Sequence, residues 1–316
     1  MSVRLRPLTP ADYPRIVAIQ EQHQLPETTT VAEMEAEDRL MTPEIFRYQI
    51  AAENGDGLMV GYGLLVGGVL MKPGHSGLSL RVDADWQRQG IGDLLFRDLL
   101  REARAHGAQV LDARVREQNP AHRQWAERRG FTVTQHLFES ALDLTHFDPS
   151  PFAGARSAAE SAGIRFVPFA AMPQDDPGLQ RFNEFLHAIQ EDIPGGAGQP
   201  MAPLDLMKRF IAEDPNWEPN GIILAVDGDR WAGIAWVQKQ NRGGYYNTVT
   251  GVVREYRGRH LATALKLVAI DYARSKGAPH IRTNNDSTNQ RMLAVNRKLG
   301  YQPLPGVFVL ERSLAE

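Results

Sequence analysis

At 316 residues the chain is long for one hydrophobic core and ample for two domains of ordinary size. Its 42% apolar and 23% charged residues exclude wholesale disorder, and 35 basic against 38 acidic side chains do not leave the footprint of a nucleic-acid binder. Without cysteine there is no disulfide, thiolate metal site or cysteine nucleophile; with no apolar leader and no run of about 18 apolar residues, no membrane contact and a cytoplasmic location are expected.

In chain order, Val3–Arg6 alternates as a short strand, and Thr9 before Pro10 opens a helix with Ile16, Val17 and Ile19 on its apolar face. Ile45–Ala52 and Leu58–Leu70 are expected strands around the turn Asn54-Gly55-Asp56-Gly57, with Gly77–Val82 a third. Ile91, Leu94, Leu95, Leu99 and Leu100 recur at helical spacing over Ile91–Ala105. A strand at Val110–Val115, a helix at Pro120–Arg129 and a strand at Phe131–Leu144 follow. Later in the chain the same order returns. Strands are expected at Ile222–Val226, Trp231–Gln238 and Tyr246–Val252, then a helix at Leu261–Lys276. A strand at Ile281–Thr283, a helix at Gln290–Leu299 and a strand at Val307–Arg312 complete it.

This recurrence is an internal repeat. Adding 170 carries Val82-Asp83-Ala84-Asp85-Trp86-Gln87-Arg88-Gln89-Gly90-Ile91-Gly92 onto Val252-Val253-Arg254-Glu255-Tyr256-Arg257-Gly258-Arg259-His260-Leu261-Ala262. It also carries Asn119 onto Asn289 and Gly130-Phe131 onto Gly300-Tyr301, with the front of each copy more variable. The fold class expected is α/β in the mixed α+β sense: two tandem domains, each with a mixed, mostly antiparallel central sheet and helices on both faces. The boundaries read as residues 1–147, a linker at 148–162 rich in Pro and small residues, and residues 163–316; an extra helix starting at Ala158–Ala162 is the alternative for the linker.

Gln87-Arg88-Gln89-Gly90-Ile91-Gly92 lies where a strand meets a helix. Main-chain N–H groups there lack intrahelical partners, the helix dipole is positive, and glycine lets a ligand approach. That is a recipe for a phosphate or diphosphate, although a tight turn without a ligand fits as well. A Walker loop needs Gly-Lys-Ser/Thr and a dinucleotide fold needs Gly-x-Gly-x-x-Gly in another context; neither is present.

The pattern Gln/Arg-x-x-Gly-x-Gly/Ala after a strand, followed by an Asn and then Gly-Phe/Tyr, resembles the GNAT acetyltransferase superfamily. The doubled arrangement resembles the two-domain type represented by mycothiol synthase. The resemblance implies acetyl-CoA as co-substrate and no metal. It implies that Leu80, Arg81 and Val82 accompany the pantetheine arm, with Val252 in the second copy. Gln87, Arg88, Gln89, Gly90, Ile91, Gly92 and Asp93 would hold the diphosphate, as would Arg257, Gly258, Arg259, His260, Leu261 and Ala262. Asn119 and Asn289 would touch pantetheine. His260 stands where the pattern expects glycine; it crowds the phosphate path, faces the phosphate as an imidazolium, or points to solvent.

The family's usual Glu and Tyr are missing: Arg114 and Ala126 occupy those places in one copy, Asn284 and Asn296 in the other. The resemblance to the two-domain type implies a base six residues before the strand-end valine, which counts back from Val82 to Ser76, beside His75, and from Val252 to Tyr246; with Asn296 from the polar run of the second copy, His75 and Tyr246 are the candidate catalytic groups, beside structural alternatives for each. The acidic clusters Glu33, Glu35, Glu37, Asp38 and Glu191-Asp192 are open to a cationic acceptor or to plain solvation. The function expected is N-acetyl transfer to a primary amine of a small molecule by direct attack in a ternary complex. Acetylation of a protein N-terminus or lysine, and a coenzyme-binding sensor without catalysis, are the alternatives.

Overall fold

The computed structural model describes residues 3–23, 29–69, 71–240 and 243–315. The first copy runs β1 (Arg4–Pro7), α1 (Tyr13–Gln22), α2 (Val31–Leu40), β2 (Ile45–Glu53), β3 (Met59–Gly68), β4 (His75–Val82), α3 (Ile91–Ala105), β5 (Val110–Arg116), α4 (Pro120–Glu127) and β6 (Thr132–Asp143). Then come α5 (Ala153–Ser161), β7 (Ile164–Pro168), α6 (Asp176–Glu191), α7 (Leu204–Glu213), β8 (Ile222–Asp227), β9 (Arg230–Lys239), β10 (Tyr245–Val252), α8 (Leu261–Ser275), β11 (His280–Asp286), α9 (Gln290–Leu299) and β12 (Gln302–Ser313). The expected third strand begins two residues earlier than Gly77, and Leu70, the expected end of the second, lies outside the described residues.

Two compact units emerge, and each takes its last strand from the other copy. Unit 1 comprises Met1–Val115, Asn119–Thr134 and Val309–Glu316; unit 2 comprises Arg116–Gln118 and Gln135–Phe308. The strands of unit 1 follow the order β1-β2-β3-β4-β5, then the end of β12, where the Leu314 N–H donates to Gln109 O at 2.7 Å. Unit 2 has the order β6-β11-β10-β9-β8-β7, with β6 antiparallel to β11 over Leu137–Asp143. The boundaries expected at 147 and 163 therefore both fall inside unit 2, and they part residues 309–316 from the rest of unit 1. The expected linker also contains a helix: Ala155 and Ala159 of α5 pack on the core holding Leu267 and Ile270 of α8. Small side chains that read as linker composition here allow close helix packing.

In both units the strand before the long helix pairs antiparallel on one side and parallel on the other. In unit 1, β4 pairs with β5 only from His75–Val110 to Leu78–Ala113, so Ser79–Val82 have no partner strand on that side. In unit 2, β10 pairs with β11 only from Tyr245–Ile281 to Asn247–Thr283. Beyond these points the strands splay. β10 also carries a bulge between Asn247 and Val249 in its ladder with β9, whereas β4 runs in continuous register with β3. The bulge adds one residue to β10. By strand pairing, Asn247 therefore matches Leu78 and Tyr245 matches Ser76, and the offset of 170 holds only downstream of the bulge.

Candidate coenzyme and transfer site

The turn before the long helix has one backbone shape in both units, built from different residues. In unit 1 Arg88 has φ 63° and Gly90 φ 82°; in unit 2 Gly258 has φ 78° and His260 φ 58°. Two left-handed residues are needed per turn. Each copy supplies glycine at one of them and bears, at the other, a non-glycine residue costing about 1–2 kcal/mol. Nothing lies within 4 Å of a Cβ built on Gly90 or Gly258, so backbone conformation, not space, selects glycine there. His260 is exposed at the N-cap of α8 and does not plug the turn. Ile91 and Leu261 are buried and anchor their helices, so only their main chain can serve a ligand.

Around the α3 N-terminus a cleft of about 810 Å³ is lined by Gly90, Arg97, Arg128, Arg129 and Arg312 among others. Cationic side chains over a helix N-terminus suit the phosphates of coenzyme A. Asp93 is tied to Arg129 and is not aimed at an anion. In unit 2 the positions of Arg97, Arg129 and Arg312 hold Leu267, Leu299 and Leu142, all buried in the core against which α5 packs. Arg257 is also committed: its Nε donates to Val252 O at 2.8 Å and its Nη2 lies 2.6 Å from Asp192. Arg254 binds the same carboxylate, so Asp192, held below the usual carboxylate range by these two arginines, clamps the turn instead of waiting for an amine. Gln87 reaches Val82 O at 3.4 Å, a weak neutral counterpart. Gln89 stays exposed near Asp85 O, and Arg259 stacks over Tyr256. Leu80 and Arg81 remain on the unpartnered edge of β4.

Asn119 starts α4 without a side-chain cap bond, whereas Asn289 caps α9 by accepting from Met292 N at 3.3 Å. Two acidic residues of α2 are structural: Glu33 closes a capping box with Thr30, and Asp38 accepts from Tyr13 Oη and Arg47. His75 opens β4 with Nδ1 at 2.9 Å from Asp112, at the paired end of the strands. About 10 Å of strand separates it from the splay. Tyr246 sits one residue before the splay, opposite Arg282. Its neighbour Tyr245 donates to Glu218 at 3.0 Å and is pushed up to about 12, chiefly by burial.

At the splay itself unit 2 holds a buried polar cluster. Asn247 Nδ2 donates to Trp236 O (3.0 Å) and Val249 O (2.8 Å), locking the bulge, while its Oδ1 accepts from Thr250 Oγ1 (2.8 Å) and Lys266 Nζ (2.7 Å). Thr283 Oγ1 donates to Asn247 O at 3.0 Å, across the last paired residues. Asn296 Nδ2 donates to Asn285 Oδ1 at 2.7 Å, and Asn285 Nδ2 to Ser140 Oγ at 2.9 Å. Asn296 Oδ1 and Tyr301 Oη are buried without a partner. Lys266 is 1% exposed and lies 5.0 Å from the Tyr301 ring centroid. Burial pushes its amine down to about 7, and it pushes the Tyr301 phenol up. With one amide N–H engaged and its Oδ1 bare, Asn296 offers an acceptor that suits a pantetheine N–H or a thiol proton.

Unit 1 is apolar at all of these places. Asn247, Lys266, Thr283, Asn285, Asn296, Tyr301 and Ser140 correspond to Leu78, Phe96, Ala113, Val115, Ala126, Phe131 and Leu310. Lys266 escapes sequence reading because it lies in an apolar helix; its signal is the mismatch with Phe96 under the repeat offset. Among the described residues no cluster of three or more His, Asp or Glu could hold a metal, and no helix is long and apolar enough to cross a membrane.

A doubled strand splay, each with a left-handed turn onto a helix N-terminus, defines the class. The acetyltransferase (GNAT) family model matches residues 13–131 and again 184–301, and the chain belongs to that acetyl-CoA-using family. Among curated proteins it is similar to mycothiol acetyltransferases. That of Catenulispora acidiphila is 24% identical over 69% of this chain and 66% of the relative; that of Segniliparus rotundus is 26% identical over 74% and 86%. Two solved structures share the whole fold. A GCN5-related N-acetyltransferase from Sphaerobacter thermophilus has a TM-score of 0.74, 18% identity and coverage of 99% and 96%. A tandem GNAT protein from the clavulanic acid biosynthesis pathway has a TM-score of 0.73, 21% identity and coverage of 100% and 99%.

Proposed function

We propose that the protein transfers the acetyl group of acetyl-CoA to a primary amine of a small molecule, by direct attack, and that unit 2 is where transfer occurs. The observation that carries this reading is the polar lining of the unit 2 splay against the apolar lining of unit 1. Chemistry at a thioester needs groups that orient the carbonyl and move a proton, and the polar side chains under the unit 2 splay, which among the described residues unit 1 replaces by apolar ones, support this reading. Asn247 fixes the bulge and so the direction of the N–H groups beside it; Lys266, whose amine burial pushes down to about 7, is the basic group of that cluster. The mycothiol acetyltransferase relatives support a small acceptor. Unit 1, with its arginine cleft and apolar splay, binds coenzyme without turnover.

The test is release of free thiol from acetyl-CoA in the presence of a panel of amines, combined with titration of coenzyme sites. Turnover abolished by Asn247→Leu and retained by Gly90→Glu supports the assignment. Turnover that follows Gly90→Glu instead moves the chemistry to unit 1. Coenzyme binding without turnover on any amine favours a sensor, and turnover only on peptide amines favours protein acetylation.

A further inference from the structure

Beneath α6 and α7 of unit 2 lies a cavity of about 320 Å³, lined among others by Phe182, His187, Phe210, Asp214, Trp217 and Trp236. That is roughly ten water volumes, near the lower end for small-molecule sites. Two of its lining residues, His187 and Trp236, each carry a buried ring nitrogen, Nδ1 and Nε1, with no hydrogen-bond partner. Folded proteins rarely leave such atoms bare, because each costs about 1–3 kcal/mol. Two such nitrogens on residues lining one cavity are donors or acceptors that a small shift of the rings would offer to a polar ligand group.

The cavity borders the splay. Trp236 faces Val249 across the β9–β10 ladder, directly after the bulge, and its carbonyl accepts from Asn247. In unit 1 the matching residue is Leu64. The wall is aromatic: the Trp217 and Trp236 rings meet edge-on at 5.6 Å, and Phe182 lies 6.1 Å from Trp236. Among the described lining residues Asp214 is the one carboxylate, and none is Lys or Arg. Such a wall favours an ammonium or a neutral amine with a flat apolar body and disfavours an anion.

We propose that this cavity is the acceptor site and that the acceptor is a small primary amine with an apolar or aromatic body and no negative charge, its polar atoms met by His187 and Trp236. The proposal rests on the acetyltransferase reading. In the step it serves, the amine nitrogen bonds to the acetyl carbon and the carbon–sulfur bond breaks. Sulfur leaves with the electron pair, and the proton lost by the amine ends on the thiolate.

The experiment has two readouts on the full-length protein. Tryptophan fluorescence is titrated with phenethylamine, glucosamine and phenylacetate without coenzyme; thiol release is then measured with the two amines and acetyl-CoA. Phenethylamine is expected to bind at least about tenfold more tightly than the other two, with about tenfold loss in Trp236→Phe, which keeps the packing and removes the N–H, and in His187→Leu. Phenethylamine binding no tighter than glucosamine, or unaffected by both substitutions, overturns the site. Selective binding with no thiol released overturns the transfer reading and leaves the amine site standing. Thiol release with glucosamine in preference to phenethylamine does the reverse.

Discussion

The two units share a backbone plan and differ in what they bury. Both splay one strand pair and enter a long helix through two left-handed residues. Unit 1 fills the space under its splay with Leu78, Phe96 and Phe131; unit 2 fills it with Asn247, Lys266 and Tyr301. Outside the helix the contrast reverses, since unit 1 leaves an arginine-lined cleft where unit 2 packs leucines near α5. On the proposed reading, geometry for gripping a coenzyme and groups for reacting with it are separable features. A duplicated fold can keep the first in both copies while concentrating the second in one.

The comparison is broken most severely at Asn247. Asn247→Leu, the unit 1 residue, removes the bulge lock and the side-chain oxygen that accepts from a buried amine. We expect at least about 3 kcal/mol lost in chemical denaturation and loss of turnover; a stable, active Asn247→Leu protein refutes the locking role.

Lys266→Met tests the same cluster from the other side. The amine carries a proton in the unfolded chain up to its ordinary range, but in the fold only below about 7. The unfolded state therefore binds more protons between about 7 and 10.5, and stability rises with pH across that window. Methionine should remove that rise and stabilise the fold at pH 6 by about 1–4 kcal/mol. Denaturation curves at pH 6, 8 and 10 check the sign, while turnover should fall despite the added stability. A variant that keeps full rate shows Lys266 to be structural only.

Asn296→Ala, again the unit 1 residue, strands Asn285 Oδ1 and should cost about 1–3 kcal/mol. Acetyl-CoA affinity in unit 2 is expected to fall with it, measured by calorimetry. The smallest effects belong to the turns. Gly90→Ala imposes left-handed strain of about 1 kcal/mol, and His260→Gly relieves a similar amount. Opposite shifts in thermal midpoint, with coenzyme affinity weakened only by the first, would sharpen the equivalence of the two loops.

Local signals made much of this legible. The repeat offset placed both turns, the alternating strands and the amphipathic helices, because those depend on neighbours in sequence. The short helix Ala153–Ser161 read as a linker because small residues carry little periodicity. The bulge was not legible: one added residue in β10 leaves the alternation around Tyr245 and Tyr246 unchanged, so the count from Val252 back to Tyr246 matched the wrong residue of unit 1. His75 looked like a base by residue type, but its distance from the splay is set by strand register. Lys266 was within reach of the offset, and only its burial reveals the meaning of the mismatch.

The traded end strands tie the fates of the copies together. Residues after Val309 finish a sheet whose other strands were made some two hundred residues earlier, and Gln135–Asp143 wait for β11 before they have a neighbour on that side. During synthesis unit 2 cannot close before β11 emerges, and unit 1 cannot close before residues 309–316 emerge. A chain halted at residue 147 would carry one unit short of a strand and a loose strand short of a unit.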